Sequence, residues 1–93
     1  MNSRQYRVLT IAEIVQDAAA AGDAALARDF EEARFRSQLA AAKADRAGLP
    51  GVAFAAALAL EALGEPGEPP SPRYGEAMNR LAIALHAVGF DPL

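Results

Sequence analysis

Apolar residues recur along this chain at helical spacing, and the pattern offers no sheet. Ile11, Ile14, Val15 and Ala18 share one face of a first helix. Thr10 and Glu13 have the spacing of a capping box at its start, with Val8 or Leu9 as a hydrophobic staple. Gly22 then reads as its stop and Asp23 as the cap of a second helix. In that second helix Leu26, Phe30 and Ala33 form one stripe, and Phe35, Leu39 and Ala42 form another. The two stripes are out of phase, so either one long helix faces two partners or, the reading preferred, it breaks or bends near Arg36-Ser37 with Ser37 as a new N-cap. Gly48 ends this stretch.

From Val52 to Leu63 the only polar residue is Glu61. A helix apolar on every side is a buried one, so residues 51–63 are expected to form the central helix. Pro50 suits its first turn and Gly64 its end. Residues 65–72, EPGEPPSP, read as an extended proline-rich linker. Ser71-Pro72 then looks like an N-cap and first helical residue. Tyr74, Met78, Leu81, Leu85 and Val88 form a seam on a last helix, from about Arg73 to Val88, stopped by Gly89 and Asp91-Pro92. Residues 1–9 read as a short strand or extended arm. The expected architecture is all-α: a compact bundle of four to five helices around the central apolar one.

Composition narrows the function classes. The 93 residues make one domain, and alanine, a strong helix former, supplies 24 of them. There is no cysteine, so thiolate metal sites and cysteine nucleophiles are excluded. The stretch MNSRQYRVLT lacks the apolar run of a signal peptide, and no apolar run has membrane-spanning length. The expected location is cytoplasmic, without membrane association. His86, the single histidine, has no acid three or four residues away on its own helix. Glu31 and Glu32 point differently on a helix and do not make an acid–base pair. Pro50 removes an N–H that a phosphate cradle at Gly48-Gly51 would need. No catalytic constellation, cofactor site or small-molecule substrate site follows, and the chain reads as non-enzymatic.

Net charge is −3, but residues 34–46 carry four basic groups against one acidic. Any anion-binding face is to be sought there, beside the plainer reading of a solvated helix surface. The apolar helix and the off-seam Ile83 point instead to a protein interface, with Phe54, Leu58 and Ile83 as its candidates.

The order of these pieces resembles small addiction-module antidote (antitoxin) proteins with a helix-turn-helix domain. AAAAGDAALARDF (18–30) looks like their first helix junction, and SQLAAA (37–42) like the start of the first helix of the reader motif. AGLPGVAFAAAL (47–58) looks like the turn and recognition helix, and SPRYGEAMNRLAIALHAVGF (71–90) like the closing helix. The resemblance implies a protein that binds its toxin and DNA. The segment Pro50–Leu58 has no Arg, Asn or Gln to read base edges. DNA contact would therefore fall to phosphates, through Arg34, Arg36, Lys43, Arg46 and Arg73.

Two functional expectations result. The first is a small helical protein-interaction module, of inhibitor, adaptor or toxin-neutralising type, whose partner is itself or another protein. The alternative is a helix-turn-helix-like DNA-binding regulator or antitoxin.

Overall fold

The structure is a computed structural model and describes residues 3–89. Four helices account for most of them: α1 (Ser3–Leu26), α2 (Phe30–Arg46), α3 (Pro50–Leu63) and α4 (Tyr74–Gly89). Each packs on its neighbour in sequence, and α4 closes on α1. Ile14 packs with residues of the α2–α3 turn and with Leu81 and Leu85, whereas Ala24 and Ala25 pack with Ala33 and Leu63. Successive helices therefore run antiparallel, up-down-up-down. The molecule measures 43 × 20 × 20 Å.

Among the described residues fifteen hydrophobics are buried, and nine of them are alanine. The α2 seam is Ala33, Ser37, Ala40 and Ala44, spaced four, three and four. Neither large-residue stripe expected on α2 is this seam, and α2 runs unbroken through Arg36-Ser37. The apparent phase slip arose from Phe35 and Leu39, which flank the small-residue seam. Phe30 meets Tyr74 edge-on, with ring centroids 5.5 Å apart, closing one end of the bundle.

α3 takes one corner of the bundle, between α2 and α4. It buries Val52, Ala55, Ala56, Ala59 and Leu63 and exposes Phe54, Ala57 and Glu61. On α4 the expected seam holds: Leu81 and Leu85 are buried, with Tyr74, Met78 and Val88 partly so.

The start of the chain departs from expectation. Residues 3–9 are helical, continuous with the rest of α1. They contain neither proline nor glycine, and among four helices a lone strand has no pairing partner. Thr10 is consequently interior rather than a cap, and its hydroxyl donates to the Tyr6 carbonyl at 2.9 Å. Val8 and Leu9 are exposed and form no staple. Gly22 and Asp23 lie within α1 rather than at a junction. The Asp91-Pro92 stop lies outside the described residues.

The true first junction is at Arg28, whose φ of 62° is left-handed. The Asp29 N–H donates to the Ala24 carbonyl and the Arg28 N–H to the Ala25 carbonyl, which is a Schellman motif. Asp29 then caps α2, its Oδ1 accepting from the Glu32 N–H at 3.2 Å. The second junction repeats this geometry. Gly48 has φ 71°, the Leu49 N–H donates to the Ala44 carbonyl, and Leu49 precedes α3. The proline-rich connection is not a free spacer. The Ser71 N–H donates to the Ala62 carbonyl at 2.7 Å, and the Glu68 N–H to the Glu65 carbonyl. Ser71 Oγ accepts from the Arg73 N–H, and α4 starts at Tyr74.

The two junction glycines read from sequence should respond oppositely to the same change. A Cβ at Gly22 meets nothing within 4 Å, so Gly22→Ala is expected to stabilise by about 0.5–1 kcal/mol. Gly48→Ala places alanine at φ 71° and is expected to cost about 1 kcal/mol. Thermal and urea unfolding of the two variants checks the signs.

Candidate interaction surface

Two of the four basic residues on α2, Arg36 and Lys43, face α1. Asp17, only 4% exposed, projects from α1 into the α1–α2 contact. Its Oδ1 accepts from Arg36 at 3.2 Å and its Oδ2 from Lys43 Nζ at 2.8 Å. Arg36 and Lys43 are seven residues apart, two turns on one face of α2, so a single carboxylate reaches both. Arg36 Nε also donates to Glu32 one turn earlier, at 3.2 Å. A carboxylate this buried is tolerable because both of its oxygens are charge-paired.

Arg34 serves a different purpose. Its guanidinium donates to the carbonyls of Gly64 (2.8 Å), Leu63 (3.2 Å) and Glu68 (3.2 Å). It thereby satisfies the C-terminal carbonyls of α3 and ties down the connection that follows. Of the five basic residues expected at a phosphate interface, these three are engaged within the chain. Arg46 and Arg73 are exposed and make no side-chain bond among the described residues. The structure does not gather the five into one patch.

The candidate protein-interface residues separate too. Phe54 is 66% exposed on α3 and Ile83 is 60% exposed on α4. By helical phase, each lies on the side of its helix opposite the buried positions. Leu58 is partly buried, one turn after Phe54. Sequence reasoning missed other exposed large residues: Tyr6 and Leu9 on α1, Leu26 at its end, and Phe35 on α2. Their signal was present, because Phe35 was already out of phase with its helix.

An open groove of ≈ 680 Å³ lies between the outer faces of α2 and α3. Phe35 and Leu60 supply apolar lining, Glu31 and Glu61 flank it, and Glu65 and Glu68 close the end where Arg34 ties down the chain. Among the described residues, no helix is long and apolar enough to cross a membrane. Comparisons with known protein families, with curated proteins and with solved structures find no match, so the surface is read from its own geometry.

The internal roles of these charges predict a sharp contrast. Asp17→Asn is expected to destabilise by about 1–3 kcal/mol and Lys43→Ala by about 1 kcal/mol. Arg46→Ala is expected to stay within about 0.5 kcal/mol of wild type. Urea unfolding at one ionic strength separates them. Among the described residues Ser37 Oγ is buried without a hydrogen-bond partner, so Ser37→Ala is expected to stabilise by about 1 kcal/mol in the same assay.

Proposed function

We propose that this chain is a small helical protein-interaction module, docking through the outward sides of α3 and α4. One observation carries the reading. Among the described residues eight large hydrophobic side chains stand exposed, while the interior is filled mainly by alanine. Scattered exposed apolar residues are ordinary on a monomer. Here they outnumber the six larger hydrophobics that are buried. Phe54 and Ile83 lie on neighbouring helices and contribute little to the interior, so their size suits a partner's pockets. The internal engagement of Arg34, Arg36 and Lys43 supports this reading over phosphate binding.

The test is affinity purification of the tagged full chain from its native cells, beside a Phe54→Asp/Ile83→Asp double variant. Both positions are exposed, so the variant is expected to keep the wild-type circular dichroism and Tm. At least one protein should co-purify with the wild type and fall by about tenfold or more with the variant, a loss of about 1.4 kcal/mol or more. Equal recovery with both chains overturns the reading. So does a preference for one DNA duplex that survives about 200 mM salt and is lost on charge reversal of Arg46 and Arg73.

A further inference from the structure

The groove between α2 and α3 is made of two adjacent strips of surface, one on each helix. On α2, Glu31, Phe35 and Gln38 follow one another at helical spacing, and on α3 so do Ala57, Leu60 and Gly64. Phe35 is 52% exposed, and with Ala57 and Leu60 it gives the groove an apolar floor.

The charge around that floor has one sign. Glu31, Glu61, Glu65 and Glu68 line the groove against a single guanidinium, that of Arg34, which three backbone carbonyls already hold. Among the described residues none of the four carboxylates is in a salt bridge. Glu68 Oε1 accepts the Glu65 N–H, a neutral donor. An apolar floor flanked by uncompensated carboxylates attracts a cationic partner and repels phosphate-bearing surfaces.

The backbone of the partner follows from the walls. Both are helices, and no strand edge exists among the described residues. The carbonyls of Leu63, Gly64 and Glu68 at the end of the groove already accept from Arg34. An extended peptide would leave its own N–H and C=O groups unpaired against the apolar floor, at a cost for each. A helix pairs those groups internally. It also nests in the valley between two helices, laying one apolar stripe along the floor.

We propose that the α2–α3 groove receives a cationic amphipathic helix of a partner protein. Aliphatic side chains of that helix cover Phe35 and Leu60. Lys or Arg on its two flanks face Glu31 on the α2 side and Glu61 and Glu65 on the α3 side. The proposal rests on the interaction reading above and adds a second surface to it, since neither Phe54 nor Ile83 lines the groove.

Fluorescence anisotropy on the full chain tests this with three labelled peptides of about 18 residues, long enough to form a helix. One has Leu and Lys in helical period, the second the same composition with no helical face, and the third Leu and Glu in helical period. At about 50 mM salt the first should bind with a Kd of about 10 µM or tighter, and the other two about tenfold or more weaker. Phe35→Ser and Glu61→Lys/Glu65→Lys should each weaken the first peptide about tenfold or more, and the charge reversal should gain the Leu/Glu peptide. Glu13→Lys/Asp23→Lys makes the same change of charge on α1, outside the groove, and should change binding by less than about twofold. The substituted positions are exposed, and circular dichroism verifies folding.

No binding of the first peptide to the wild type overturns the proposal. So does equal binding of the first two peptides, or equal loss in the α1 and groove reversals, which would reduce the effect to overall charge. Self-association of the wild type, seen by sedimentation velocity and lost in Glu61→Lys/Glu65→Lys, overturns it in favour of a second copy. If the peptide is lost with Phe54→Ser/Ile83→Ser and kept with Phe35→Ser, the groove falls and the α3–α4 face stands. If groove binding holds while co-purification is indifferent to Phe54 and Ile83, the groove stands and that face falls.

Discussion

Alanine on the inner face of every long contact sets how the four helices meet. A methyl side chain holds two backbones apart less than leucine does, so axes can approach toward the short end of the ~8–10 Å range. Ala21, Ala33, Ala40, Ala56 and Ala59 are all fully buried. Their hydrophobic contribution is small one by one, about 0.8 kcal/mol for a buried methylene-sized group against about 1.5–3 kcal/mol for a whole leucine. The gain comes from dispersion between closely packed backbones, summed along the seam. Larger residues enter where a gap opens toward the ends, as at Ile14, Leu81 and Leu85 near one end and Leu63 near the other.

The same constraint distributes the remaining side chains. The buried positions are held mainly by alanine, and Phe35 and Phe54 stand outside. Across the α1–α2 contact Asp17 engages Arg36 and Lys43 together. A buried carboxylate adds little net stability but penalises any register that separates it from its cations. Since alanine seams slide easily past one another, this pairing gives the α1–α2 contact a defined register. The two Schellman junctions fix the hairpins at either end of α2, and Arg34 fixes the longer connection after α3.

Interior and surface are therefore linked. Small residues inside leave large apolar residues outside, and internal ion pairs remove cations that appear free in the sequence. The acidic character of the α2–α3 groove follows in part from this. Its one basic residue is committed to backbone carbonyls, while Glu31, Glu61 and Glu65 remain exposed.

The sequence alone determined the helical class, the extents of α3 and α4 to within a residue or two, and the α4 seam. Those features depend on local propensity, proline and glycine, and a periodicity carried by large residues. It misplaced the first junction because Gly22-Asp23 has the chemistry of a helix end, yet a helix tolerates both when packing continues beyond them. It misread the phase of α2 because alanines mark no face by size when they occur on several faces. Only the tertiary structure decided that Arg36 and Lys43 turn inward to Asp17, since two cations at helical spacing look alike whether they meet water, phosphate or a carboxylate nineteen or more residues away. It alone decided that α1 outruns its neighbours, because overhang is a relation among helix lengths and registers that no single segment contains.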